Sequence, residues 1–246
     1  VLTVAMAGLA VLVGTILQRI SGAGVGLVVA PVLSLLIGPA HGVLVTNAVT
    51  TVSGATLTVQ AWKRINWRRY AVIVISALFG LIPGAFLVAR LPAAWLQIVV
   101  GGVVLLGLAV TVGLRRLPPA PELPTNIITG VAGGLLNVTA GVAAAAMVVN
   151  ARLTRWAQSS YAATMQPVFA TLGLCSVIAK LATGVGAGEG WPSPWLAVAA
   201  LAAVFLGAWL GGIAAKRVPA STARTLALSL AALGALAAVV RGVLEL

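Results

Sequence analysis

The sequence predicts an all-α polytopic membrane protein of two inverted-topology repeats, each a re-entrant or broken-helix hairpin plus three transmembrane helices. Three observations carry that expectation. Apolar residues make up 61% of the 246 residues and charged residues 7%, with a mean hydropathy of +1.14; a soluble domain of this length needs far more polar surface. The basic residues sit in short clusters between apolar runs, which is the positive-inside pattern. A stretch of the first half also aligns without a gap to a stretch of the second.

Apolar segments lie at 1–17, 27–37, 43–61, 70–89, 94–114, 125–138, 142–149, 160–181, 195–215 and 223–244. Crossing a bilayer takes roughly twenty residues, so the chain has room for about six to eight spans. Residues 1–17 lack a basic start and an A-x-A-like end, so no cleavable signal peptide is expected there. They run into "QRISGAGVG" (18–26), where an arginine, a serine and three glycines interrupt the apolar run. The piece that follows, 27–37, is too short to span, and the two together are predicted as a hairpin, 1–37. Spans 43–61, 70–89 and 94–114 complete a first repeat, 1–116, and 117–124 is predicted as a cytoplasmic linker. "NVTAG" (137–141) interrupts the next segment in the same way. Hairpin 125–149 therefore opens a second repeat, 125–246, followed by spans 160–181, 195–215 and 223–244.

Charge orients these pieces. Lys63, Arg64, Arg68 and Arg69 fill one loop, Arg115 and Arg116 another, Arg152 and Arg155 a third, and Lys216, Arg217 and Arg224 a fourth. With all four in the cytoplasm, each half holds a hairpin and three spans, the halves face opposite ways, and both termini lie outside. His41 and Lys180 then fall at the outer surface, as a loop residue and an interfacial anchor. Trp62, Trp67, Trp95, Trp191 and Trp195 lie at segment ends, where an aromatic belt places them. The net charge of +12 is thereby spent on topology, with no soluble basic face for nucleic acid. The single cysteine, Cys175, lies in an apolar segment and reads as a packed thiol.

"GLIPGAFLVARLPAAW" (80–95) aligns with "GAWLGGIAAKRVPAST" (207–222), pairing Gly80 with Gly207, Gly84 with Gly211, Arg90 with Arg217 and Pro92 with Pro219. Glycines at four-residue spacing also arise wherever membrane helices pack closely, but the shared Arg-x-Pro turn argues for an internal duplication. The first quarters match more weakly, "GAGVG" (22–26) against "TAGVA" (139–143) and "AVTT" (48–51) against "AATM" (162–165).

Gly22-Ala23-Gly24-Val25-Gly26 with Pro31, Ala48–Thr51, and Gly80 with Gly84 resemble the glycine-rich stretch, the A-x-x-T helix and the G-x-x-x-G helix of the sulfite exporter TauE/SafE transporters. The resemblance spans essentially the whole chain. It departs at Ala143–Ala146, where many relatives have glycine or proline. It implies transport of sulfite, organosulfonates or related sulfur-containing anions, from the plasma (inner) membrane of a prokaryote.

The residues point to anions separately. Inverted repeats place a site near the midplane, at broken helices whose exposed N-termini offer backbone N–H groups and a positive dipole. Ser21, Gly22, Gly24 and Gly26 have the composition of such a break, and Arg19 at its tip adds a planar, charged fork. Asn137, Thr139 and Gly141 form the opposing tip. Asn47, Thr50 and Thr51 from one half and Thr164 and Gln166 from the other complete the candidate substrate-binding set. Arg19 snorkelling to a headgroup, and Asn47, Thr50 and Thr51 acting as interhelical glue, are the competing readings.

Only Glu122, Glu189 and Glu245 are acidic, all in loops or at the terminus. A proton relay of intramembrane carboxylates is therefore missing, and uncoupled, electrogenic anion export is the expected mechanism, with Na⁺ coupling through backbone carbonyls left open. An anion channel with the same pore, or a transporter of small carboxylates, are the alternatives. No enzyme, cofactor or metal is expected, since the membrane segments carry no His/Glu/Asp cluster. The expected partners are a small anionic substrate and membrane lipid; the glycine faces leave a homodimer open.

Overall fold

A hydrocarbon layer offers backbone amides no water, so an apolar chain satisfies them within helices. The computed structural model, which describes residues 2–22, 25–113, 118–185 and 192–246, is helical throughout its apolar runs. The first half holds α1 (Leu2–Ser21), α2 (Gly26–Ile37), α3 (Pro39–Ala61), α4 (Trp67–Arg90) and α5 (Ala93–Gly113), with a 3₁₀ turn, Trp62–Arg64, before α4. The second holds α6 (Glu122–Ala140), α7 (Ala144–Leu153), α8 (Gln158–Ala182), α9 (Pro194–Ala214) and α10 (Ala220–Leu244). One long helix, one short one and three long ones thus occur twice in the same order.

Several bounds differ from the sequence expectation. Among the described residues, α1, α3, α4, α8, α9 and α10 are long and apolar enough to cross a membrane, so α1 is a full-length helix where a hairpin arm over 1–17 was expected. The helix extends through Gln18, Arg19 and Ile20 because nothing before Gly22 breaks it. Likewise α6 begins at Glu122, inside the stretch read as linker, and α7 runs on to Leu153.

Glycine ends both hairpin helices. Gly22 and Gly141 each have φ 71°, the left-handed conformation that side chains disfavour. The Gly22 N–H bonds the Gln18 carbonyl and the Gly141 N–H bonds that of Asn137, each at 2.8 Å. The same cap therefore closes α1 and α6.

Close glycine contacts reveal helix directions. Gly130 and Gly134 of α6 lie against Ile73 and Ala77 of α4, and Gly84 lies against Leu135 and Val138, so α4 and α6 run the same way. Gly8 meets Ala199, Gly207 meets Leu12 and Thr15, and Gly211 meets Ile16 and Arg19; α1 and α9 are parallel in the same manner. Gly54 meets Gln166 and Ala170 while Gly173 meets Asn47 and Thr51, and Gly101 meets Ala235 while Gly242 meets Ala94. The pairs α3–α8 and α5–α10 are therefore antiparallel. Without a hydrophobic force between helices in lipid, such small-residue approaches supply much of the cohesion.

The basic loops gather at one end of the bundle. Arg69 pairs with Glu122, donates to Thr154 Oγ1 at 3.3 Å and stacks over the Trp156 ring at 4.2 Å. At the same end, Arg224 donates to Gln158 Oε1 at 3.3 Å. Arg115, Arg116, Glu189 and Trp191 lie outside the described residues. Trp62, Trp67, Trp95 and Trp195 are exposed at helix ends.

Candidate functional site

The two breaks meet. A side chain at Gly26 would fall on the carbonyl oxygen of Gly141, and Thr46 packs against both glycines. Backbone approaches backbone there because no Cβ intervenes. Gly24 lies outside the described residues.

Two buried amide clusters, one nearer each end of the bundle, lie beside this crossing. Toward the basic end, Gln18 Nε2 donates to Gln166 Oε1 at 2.9 Å and Ser53 Oγ donates to Gln18 Oε1 at 3.1 Å. Toward the other end, Asn137 Nδ2 donates to Asn47 Oδ1 at 3.3 Å and to Ser176 Oγ at 2.9 Å, while Asn47 Nδ2 donates to the Asn137 carbonyl at 3.4 Å. One spacing relates Gln18 to Asn137, Gly22 to Gly141, Asn47 to Gln166 and Gly54 to Gly173. In each cluster the amide four residues before the left-handed glycine binds an amide of the opposite half. The register "GAGVG" against "TAGVA" is corrected accordingly: Gly22, not Val25's neighbour Gly24, is the counterpart of Gly141. Small residues match by composition in several registers, and only the backbone conformation selects one.

The sequence candidates divide into three groups. Arg19, Gly22 and Gln166 line one pocket of about 220 Å³, together with Arg64, Ser159, Ala162 and Ala215. Arg19 is half-buried against Gly211 and also borders a second pocket with Gln60, Trp209 and Lys216. It stands toward the basic end, where Arg64 and Lys216 line the same pockets. Asn47, Asn137, Gly26 and Gly141 form the crossing itself. The hydroxyl candidates turn back on their own helices: Ser21 to Leu17, Thr50 to Thr46, Thr51 to Asn47 and Thr139 to Leu135, at 2.7–2.8 Å. Thr164 donates to the Ser160 carbonyl at 2.8 Å and accepts the Asn66 N–H at 2.9 Å, which ties the turn before α4 to α8.

Gln18, Ser53 and Ser176 were not singled out in the sequence. Gln18 is the first residue of the quoted stretch, and its place four before a capping glycine, shared with Asn137, is the signal that finds it. Two surface assignments are overturned. His41 is 3% exposed within α3, because Pro39 starts that helix two residues earlier. Lys180 is 0% exposed, because it shares the inward face of α8 with Gly173 and Ser176.

Chemically, the pocket offers two guanidinium groups and an amide to whatever enters from the basic end. Among the described residues no group of three or more His, Cys, Asp or Glu could hold a metal. No curated protein and no solved structure matches the chain. The family model for the sulfite exporter TauE/SafE matches residues 6–238. An all-helical, multi-pass membrane chain matched over that length belongs to the sulfite exporter TauE/SafE family, whose members transport sulfur-containing anions.

Proposed function

We propose that this chain exports a small sulfur oxyanion, sulfite before organosulfonates, by alternating access around the crossing of its two breaks. The observation that carries the reading is the pocket at the basic end, where Arg19 and Arg64 converge on Gly22 and Gln166. Guanidinium forks suit planar or pyramidal oxyanions through paired N–H donors. Placed on the cytoplasmic side by the positive-inside rule, in a prokaryotic inner membrane, the pocket receives the anion from the cell. An inside-negative potential then favours its exit by roughly 2.3 kcal/mol per charge per 100 mV.

The antiparallel packing of α3 on α8 and α5 on α10 supports inverted repeats, since corresponding helices of parallel repeats would run the same way. Domain bounds near 1–116 and 125–246 follow from that reading. The buried amide clusters favour a carrier over a channel, because both cross the route and must part for an anion to pass. Flux of labelled sulfite from proteoliposomes tests the proposal, with sulfonates, acetate and chloride as competitors. Saturation and counterflow are expected. Flux linear in gradient makes the protein a channel, and preference for acetate makes it a carboxylate transporter. Wild-type flux from Arg19→Ala removes Arg19 as the anion's anchor.

A further inference from the structure

Lys180 is wholly enclosed, and its Nζ has no hydrogen-bond partner among the described residues. An ammonium carries three donors and no acceptor, and in a dry interior it must release its proton or gather an anion. The two acids among the described residues are engaged elsewhere, Glu122 with Arg69 and Glu245 with Arg241.

Its position gives that enclosure a meaning. Lys180 stands one helical turn beyond Ser176 on the same face of α8, and Ser176 receives the Asn137 amide. The antiparallel register that sets Gly173 against Asn47 brings Lys180 level with the first turns of α3, past the Asn47–Asn137 cluster and away from the basic end. Ala40, Val88, Leu96 and Val185 close over this region as a small apolar cluster, and the Val185 N–H bonds the Lys180 carbonyl at 3.0 Å. At the same end Gln97, beside Leu96, is 1% exposed with both amide atoms unpartnered, and Ser34 Oγ, packed by Gly42, is buried and unpartnered too. Unpaired polar groups are rare in a packed interior. Gln97 and Ser34 share this end of the bundle with Lys180, while Tyr161 Oη is buried and unpartnered at the basic end.

We infer that Lys180 is a second oxyanion station, on the far side of the amide clusters from Arg19, which receives the anion after the breaks have parted. The inference rests on the transport reading for its role in export, but the site itself is a claim about anion binding alone. Arg19 faces an open pocket while Lys180 is shut beneath the apolar cluster, so the two stations are accessible in different conformations. The path then has a fixed positive charge on either side of a neutral, amide-lined constriction.

Thermal unfolding of the purified full chain across a sulfite and sulfate titration separates the stations. Arg19→Ala removes the first, and residual stabilisation by either anion is expected to persist. Adding Lys180→Met, which keeps the volume and removes the charge, is expected to abolish it without lowering the melting temperature in the absence of anion. Identical anion stabilisation of Arg19→Ala with and without Lys180→Met overturns the site, as does its complete loss in Arg19→Ala alone. Glu189→Gln is the control for an intramolecular counter-ion: if it makes anion binding at least tenfold tighter in the Arg19→Ala background, Lys180 was serving Glu189 and the inference falls. In proteoliposomes, Lys180→Met is expected to slow sulfite flux by about tenfold or more. A wild-type protein that moves no sulfite refutes the export reading, while the titration still decides the binding site.

Discussion

The two helix breaks share one backbone solution and differ in chemistry. Gln18 and Asn137 hold the same place before Gly22 and Gly141, and both glycines adopt φ 71°. One residue further on, the halves part company. Arg19 stands beside a pocket that Arg64 also lines, whereas its counterpart Val138 is 0% exposed among Leu81 and Ala85. The same glycine cap thus occurs at both breaks, and a single-residue difference puts a charged, pocket-lining side chain beside one and a buried valine beside the other. Under the proposed carrier reading, charge at one break and a packed side chain at the other correspond to a resting state open to one side.

The largest expected effect comes from pushing the breaks apart. Gly26→Val drives a side chain onto the Gly141 carbonyl, where both neighbours are backbone and neither can rotate away. Overpacking of this kind costs about 1–3 kcal/mol, and this site belongs at the upper end. Loss of most folded, monodisperse protein is expected in size-exclusion chromatography. A well-behaved Gly26→Val protein with wild-type flux means that the crossing is looser than described.

Next comes the asymmetry itself. Arg19→Ala is expected to cut sulfite flux by about tenfold or more, because a fork of charge-assisted hydrogen bonds contributes roughly 1.5–3 kcal/mol per bond. Val138→Ala removes the counterpart without touching charge, and its flux is expected to stay within about twofold. Equal losses from the two variants would erase the distinction between the breaks.

A smaller effect separates the two amide clusters. Asn137→Leu strips donors from Asn47 Oδ1 and Ser176 Oγ together, while Gln18→Leu strips one from Gln166 Oε1 and an acceptor from Ser53. Measured hydrogen bonds between membrane helices average only about 0.6 kcal/mol, so losses of roughly 1–2 kcal/mol are expected for each in thermal or denaturant unfolding. Comparable losses would fit two equivalent struts. A stabilised Asn137→Leu would instead mean that the amide is held for the substrate at a cost to the fold.

How much of this was legible in advance follows from what each signal encodes. Hydropathy and charge clustering report lipid contact and loop position, so the helices and their basic ends were readable. The pairing of Gly80 with Gly207 survived because both glycines pack on the partner helix at matching positions, Val131 and Leu12 with Thr15. The depth of Arg19 was not legible, since residue order does not say where along a helix a partner's end lies. Lys180 was misplaced for a related reason. A lysine at a helix end normally snorkels, and only the packing of α3, α4 and α5 over that end reveals that it cannot.

The smallest effect tests the hydroxyls. Thr50 and Thr139 each donate to the carbonyl one turn back on their own helix, at 2.7 Å, so neither has a proton left for an anion in this conformation. Thr→Val at either position removes a hydroxyl that serves only its own helix, and stability is expected to change by less than about 0.5 kcal/mol, with sulfite flux within about twofold. The comparison of breaks predicts this silence, because the proposed site draws its specificity from Arg19, Gly22 and Gln166 rather than from a ring of hydroxyls. A tenfold loss of flux at Thr139 with stability unchanged would show instead that the hydroxyl swings from the Leu135 carbonyl to the anion during transit. The second break would then take part in binding and not only in sealing.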